Sequence, residues 1–260
     1  MVNAQDRKVF DELIRRCDRG LISVEPPDQL VVGIGKFFLG TPYLTGPLET
    51  NPVEKLTVNL RGYDCVTFVE NVVALTQLTR SGQNSFNSFR KFLQKIRYRG
   101  GRLQGFPSRL HYFSDWIYDN QKKGILKDIT AEVGGRPFRR SLHFMTTHRD
   151  LYPLLKDPVN FRRMNSLEKE ISRRSLYFIP KKALRRCESQ FRDGDLIAIV
   201  TNKEGLDVEH VGIAVRVRNR IHLLHASSVP GQVVLSGKTL YRYMMQSKTR
   251  NGIILARILL

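Results

Sequence analysis

The chain has 260 residues, with 43 Lys and Arg against 24 Asp and Glu, for a formal charge of +19 at pH 7; that length makes one large domain or two small ones. A 41% apolar content supplies a core and excludes a disordered chain, and three cysteines exclude a fully paired disulfide framework. The best apolar run, Leu30 to Leu39, is broken by Lys36 and falls short of a membrane span, and Met1 to Asp6 shows no apolar segment of a signal peptide.

In chain order, Asp6 to Arg19 reads as a helix, with Val9, Phe10, Leu13 and Ile14 at helical spacing and a stop at Gly20. After Pro26-Pro27, Asp28 can cap a second helix through Leu39, and the prolines and glycine from Thr41 to Leu60 mark a loop. Asp64 is placed to cap a helix from Cys65 to about Arg80. Its apolar residues cover most of the circumference, so it is expected to be buried on most sides. Ser85 to Arg97 and Ser108 to Lys123 are further helices, and a basic stretch of weak periodicity follows.

From Gly194 the pattern changes to short β-branched runs: Leu196 to Val200, Val208 to Val217, Arg220 to Ala226, Val233 to Leu235 and Gly252 to Ile258. Helices first and a meandering sheet afterwards predict an α+β fold, with the N-terminal helices packed on a C-terminal antiparallel sheet. We expect a single domain over 1–260, with 136–192 as the one candidate for an inserted lobe. That stretch holds fifteen cations against five carboxylates. It reads as a solvated basic face or as a docking surface for an acidic polymer. Its aromatics show no repeat or nucleic-acid motif.

Cys65 stands out among the three thiols. At a helix start, unpaired N–H groups and the helix dipole are expected to favour its thiolate; Cys17 and Cys187 have no such setting and read as small buried hydrophobes. A thiol nucleophile needs a base. In the strand from His210, alternation places His210, Gly212 and Ala214 on one face, with room there for the helix that carries Cys65. In the next strand His222 and His225 lie on opposite faces, and parity alone does not say which one joins His210.

Four blocks carry a resemblance: Leu39-Gly40-Thr41-Pro42-Tyr43, Tyr63-Asp64-Cys65-Val66-Thr67-Phe68-Val69-Glu70, Arg109-Leu110-His111-Tyr112-Phe113-Ser114-Asp115-Trp116, and Leu206 to Gly212 with His225-Ala226 after it. Together they resemble the N-acetylmuramoyl-L-alanine amidase-like family, in the NlpC-type branch of papain-like cysteine peptidases and amidases. Val66-Thr67, where that branch commonly has Ser-Gly, sets the chain apart from its ordinary endopeptidases. The resemblance implies a papain-like fold and an enzyme of the cell envelope or periplasm that acts on peptidoglycan or muropeptides without a cofactor. Its scissile bond is the N-acetylmuramoyl-L-alanine amide. By the same resemblance Cys65 is the nucleophile, His210 the base and His225 its orienter. Cys65 N–H, with Tyr63 or another donor, serves the oxyanion, and Tyr43, Tyr63, Arg109 and Tyr112 face the substrate.

The competing readings are a stem-peptide endopeptidase, a papain-like scaffold that binds without catalysis, and a nucleic-acid binder driven by charge, which is not favoured. A zinc amidase using His143 and His148 is a weaker rival, since their spacing is no recognised metal signature.

Overall fold

In the computed structural model, which describes residues 3–259, the first half of the chain is helical: α1 (Ala4–Asp18), α2 (Pro27–Phe37), α3 (Cys65–Arg80), α4 (Phe86–Arg97) and α5 (Phe113–Lys122). The basic stretch supplies β1 (Leu126–Asp128) just ahead of it, then β2 (Arg136–Phe138), α6 (Phe144–Thr147), α7 (Pro158–Ser172), β3 (Leu176–Pro180) and α8 (Leu184–Cys187). The sheet is completed by β4 (Leu196–Thr201), β5 (Val208–Val217), β6 (Arg220–Ser227), β7 (Gln232–Thr239), α9 (Leu240–Met245) and β8 (Arg250–Ile258). The strand order is β2-β3-β8-β4-β5-β6-β7, with β1 paired to β8, and every pairing is antiparallel. The α+β expectation therefore holds. Among the described residues no helix is long and apolar enough to cross a membrane.

Helix α3 is the centre of the helical layer, and its exposed residue is Arg80 at the far end. Phe68, Val69, Val72, Val73, Leu75 and Leu78 are all buried, and so are the four polar residues Thr67, Glu70, Asn71 and Thr76. Glu70 meets Arg97 at 2.7 Å, Asn71 Nδ2 donates to Thr67 O at 2.7 Å, and Thr76 Oγ1 donates to Val72 O at 2.8 Å. Its start is fixed by a reciprocal cap: Thr67 N–H donates to Asp64 Oδ1 at 2.7 Å, while Asp64 N–H donates to Thr67 Oγ1 at 3.0 Å. Thr67→Val keeps the shape of this side chain but strands the Asp64 N–H. It is expected to lower unfolding free energy by about 1 kcal/mol. Urea titration reads the change, and an unmoved midpoint would show that the cap contributes nothing.

Several elements start differently from expectation: α1 begins at Ala4, capped by Asn3, two residues ahead of Asp6. Pro26 and Pro27, with no side-chain cap, open α2 in place of Asp28; the fixed φ of proline suits a first helical turn. α5 begins at Phe113 and not at Ser108, because Phe106–Ser108 forms a tight 3-10 turn and Arg109 pairs with Tyr98 as an isolated bridge. Its cap comes from far along the chain: Asp207 Oδ2 accepts from Ser114 N–H at 2.8 Å, and Asp207 Oδ1 accepts from Val208 N–H at 2.7 Å. One buried carboxylate thus ties the start of α5 to the start of β5.

The sheet is covered on both faces, which explains the unbroken apolar run in β4. Leu196, Ala198 and Val200 join α1–α4 in one core, together with Val211, Ile213 and Val215 of β5. Ile197, Ile199, Ala214, Ile221 and Leu223 face the opposite side, beneath α8 and α9. β5 and β6 are joined by a two-residue hairpin turn, Arg218-Asn219, with φ of 46° and 63°.

Candidate active site

The packing of the two sheet faces decides between the two histidines of β6. His222 shares the α3-side face with Leu224 and Ala226, and its Nδ1 lies 2.8 Å from Ser236 O. His225 shares the other face with Leu223, as His210 does with Ala214, and the two rings meet there. His210 Nε2 lies 2.6 Å from His225 Nδ1, with ring centroids 4.8 Å apart and planes at 84°. This contact leaves His210 Nδ1 and His225 Nε2 as the outward nitrogens.

The α3 layer packs on the Val211 face of β5, so the expectation that it packs on the His210 face is corrected. Gly212 is small for another reason: a Cβ there would lie 2.8 Å from Leu223 Cδ1 and 2.9 Å from Leu224 O. Cys65 meets β5 instead through the backbone beside His210. The β5–β6 ladder runs from Val217 only as far as Ile213–Leu224. Beyond it the Val211 N–H, one residue from His210, faces the Cys65 sulfur. The first-turn N–H groups of Cys65 and Val66 face the sulfur as well; at a helix start they have no acceptor within the helix.

These donors do not make a resting thiolate. Burial pushes the Cys65 thiol up to about 12, the Asp64 carboxylate adds to this, and the three N–H groups offset only part of it. The expected thiolate at the helix start is therefore overturned: desolvation outweighs the dipole. Burial holds His210 down at about 3, with His225 and then Arg250 adding to it, and burial followed by Arg250 holds His225 at about 4. The resting pair is a neutral thiol beside neutral imidazoles.

A tyrosine and an arginine that no sequence motif singled out complete this surround. Tyr243 of α9 packs its ring 5.5 Å from His225 and 6.4 Å from His210. Arg250 stacks on that ring at 4.0 Å, donates to Tyr243 O at 2.6 Å and pairs with Glu209 at 3.2 Å. Its positive charge disfavours imidazolium. Arg250→Gln is therefore expected to raise the histidine pKa values and to move the acid limb of kcat/KM to higher pH, by up to about one unit. Arg250→Lys should leave the limb in place, and a pH–rate profile of the two variants checks the difference.

The other expected site residues divide. Tyr43 lies at the site. Residues 42–44 stitch β7 to the segment before α3 through Tyr43 N–H to Gly231 O at 2.8 Å and Leu44 N–H to Tyr63 O at 2.8 Å. Burial, with Cys65 and Asp64 adding to it, pushes the phenol up to about 12, so it is a neutral donor. Arg109 and Tyr112 line a cavity of about 140 Å³ whose wall includes Asp64 and Val66, the neighbours of Cys65. Both are nevertheless buried and engaged: Arg109 pairs with Glu49 at 2.8 Å, and Tyr112 OH donates to Glu168 Oε1 at 2.6 Å. Tyr63 is corrected outright. It is fully buried between Phe38 and Phe68, and its N–H is spent on Pro42 O at 3.0 Å, so it offers no oxyanion donor.

Among the described residues no group of three or more His, Cys, Asp or Glu side chains is arranged to hold a metal ion. His143 faces Glu204 at 3.7 Å, and His148 Nδ1 lies 2.8 Å from Phe144 O. Cys17 and Cys187 are free and buried.

A family profile described as N-acetylmuramoyl-L-alanine amidase-like matches residues 33–253. An N-acetylmuramoyl-L-alanine amidase of Bacteroides uniformis is 36% identical with a TM-score of 0.85, over 90% of this chain and 99% of that one. A Bacteroides fragilis protein provisionally named a xylanase is 39% identical with a TM-score of 0.82, over 86% and 99%. A Legionella pneumophila protein of family DUF1460 is 25% identical with a TM-score of 0.73, over 99% and 94%. No match is found among curated protein sequences.

Proposed function

The chain belongs to the N-acetylmuramoyl-L-alanine amidase-like family, and from that premise we propose that it is a cysteine-dependent hydrolase of papain-like, NlpC-type architecture that cuts the amide between the muramoyl lactyl group and L-Ala. One observation carries this reading: the Cys65 thiol, at an open helix start, meets the strand bearing His210, whose ring is hydrogen-bonded to His225 at 2.6 Å. Sugar-bond hydrolysis, which the provisional xylanase name would require, takes a flanking pair of carboxylates; a thiol and two imidazoles suit acyl transfer.

Because the thiol and imidazole rest neutral, deprotonation accompanies attack. His210 Nδ1 takes the thiol proton as Sγ bonds to the lactyl carbonyl carbon. The oxyanion is met by the N–H groups of Cys65 and Val66 and by the Tyr43 phenol. Collapse breaks the C–N bond, and His210 returns its proton to the departing L-Ala amine. Water, deprotonated by His210, then hydrolyses the muramoyl thioester to the lactyl carboxylic acid and restores the thiol. His225 fixes the ring of His210 and disperses its charge. The cavity lined by Arg109 and Tyr112 receives a small polar portion of the substrate. A substrate of this kind places the enzyme in the cell envelope or periplasm.

Mass spectrometry of a digested disaccharide–tetrapeptide muropeptide tests the proposal. The expected products are the free disaccharide acid and an intact tetrapeptide with an L-Ala amino terminus. Products cut within the peptide would make the chain an endopeptidase, and an uncut muropeptide would leave it a binding scaffold.

A further inference from the structure

The turn that precedes Arg109 has a second side. Arg109 to Tyr112 wall the cavity beside Cys65, whereas Pro107 and Ser108, just before them, wall a separate groove of about 570 Å³. That volume lies in the range of sites that hold a multi-atom ligand. The opposite wall is α7, which presents Arg162, Arg163 and Ser166 toward the groove, and Arg99 and Gln104 close its end.

The uncompensated charge in this groove comes from α7. Glu170, the only carboxylate in its lining, is already paired with Arg174 at 2.7 Å, and Arg99 is held by Asp115 at 2.6 Å. Arg162 and Arg163 are exposed, and neither has an ion-pair partner among the described residues. A convex basic face would point its cations outward into water. Here the two unpaired arginines line one groove, with Gln104 at its end and Pro107 and Leu167 as apolar surface. The planar fork of an arginine pairs with a carboxylate through two hydrogen bonds; that of Arg99 is already spent in this way on Asp115, at 2.6 and 3.2 Å, which leaves Arg162 and Arg163 for a ligand. The Gln104 side-chain amide beside the apolar wall of Pro107 and Leu167 suits a peptide main chain better than a bare phosphate.

We propose that this groove is a second, non-catalytic subsite that holds a carboxylate-bearing stem peptide of the polymeric substrate while a neighbouring stem occupies the Cys65 cavity. The proposal rests on the amidase reading and deepens it: two stems on one polymer raise the effective concentration of the scissile amide at the thiol. A soluble muropeptide with a single stem gains nothing from the groove.

The test uses co-sedimentation with purified sacculi in a Cys65→Ala background, with and without Arg162→Glu/Arg163→Glu. The double reversal should weaken sacculus binding by about tenfold or more and flatten its salt dependence. The same reversal in the otherwise intact enzyme should leave turnover of a single-stem muropeptide unchanged. Equal sacculus binding by the reversed and parent proteins would overturn the proposal. Arginine-dependent binding that persists on sacculi with amidated carboxylates would overturn the carboxylate ligand in favour of phosphate. Tighter arginine-dependent binding to a DNA duplex than to sacculi would overturn the stem peptide in favour of nucleic acid. Failure of the amidase reading shows separately, as an uncut muropeptide with intact Cys65, because the binding assay needs no turnover.

Discussion

Cys65→Ala is expected to lower amide hydrolysis by roughly 10⁴-fold or more, with the fold and the thermal midpoint retained. The size follows from the absence of a substitute: Cys17 and Cys187, the other two thiols, are buried elsewhere in the core. The substitution removes little packing, since Cys65 is only partly buried and the cap on α3 is made by Asp64 and Thr67. Comparing kcat/KM on a soluble muropeptide with the circular dichroism spectrum separates loss of chemistry from loss of fold. A variant that keeps a tenth or more of the activity would remove the thiol from the mechanism.

The second large effect is at His210. His210→Gln should cost roughly 10²–10⁴-fold in kcat/KM, because a glutamine can keep the hydrogen bond to His225 but cannot carry the thiol proton. The loss should fall in kcat more than in KM, since the role proposed for the ring is proton transfer and not recognition. His225→Gln should fall less, because an amide can still hold the His210 ring. If the two substitutions cost the same, the pair titrates and acts as one unit.

The pH behaviour of the fold follows from the same pair. His210 and His225 are held at about 3 and about 4, below the ordinary histidine value of 6.5. The unfolded chain therefore binds more protons between these values. The stability that the neutral pair contributes is complete above pH 6.5 and is lost as the pH falls through about 4 and about 3.

How much of this was legible in the sequence can be argued from single residues. Asp64 announced its own cap, and the apolar circumference of α3 announced its burial, since both are local patterns. Alternation along β5 and β6 narrowed the partner of His210 to one of two histidines, the resemblance named His225, and the packing of opposite faces brings the His225 ring to 2.6 Å from His210. Alternation also misled. It assumed that a helix meets a histidine by covering its face, whereas Cys65 approaches where the β5–β6 ladder ends. The bulge opposite Ile199–Val200, which turns Val208 and Val211 to the same side, carries no local signal. The start of α5 depended on Asp207, far away in sequence, so a local reading placed it five residues early. Tyr243 and Arg250 gave no motif at all; they matter because α9 and the start of β8 fold over the histidine pair. Arg109 and Tyr112 were visible as motif residues, but their engagement by Glu49 and Glu168 is a tertiary fact.

The central claim joins a nucleophile to a bond, and the covalent intermediate reports on both. Rapid acid quench during turnover of a disaccharide–tetrapeptide, followed by peptide mapping, measures the mass carried by the peptide that contains Cys65. The account predicts a thioester adduct of the disaccharide acyl group, with the saccharide mass and no amino acid. An adduct that contains stem amino acids, or a Cys65 peptide that stays unmodified while the substrate is cut, would contradict it.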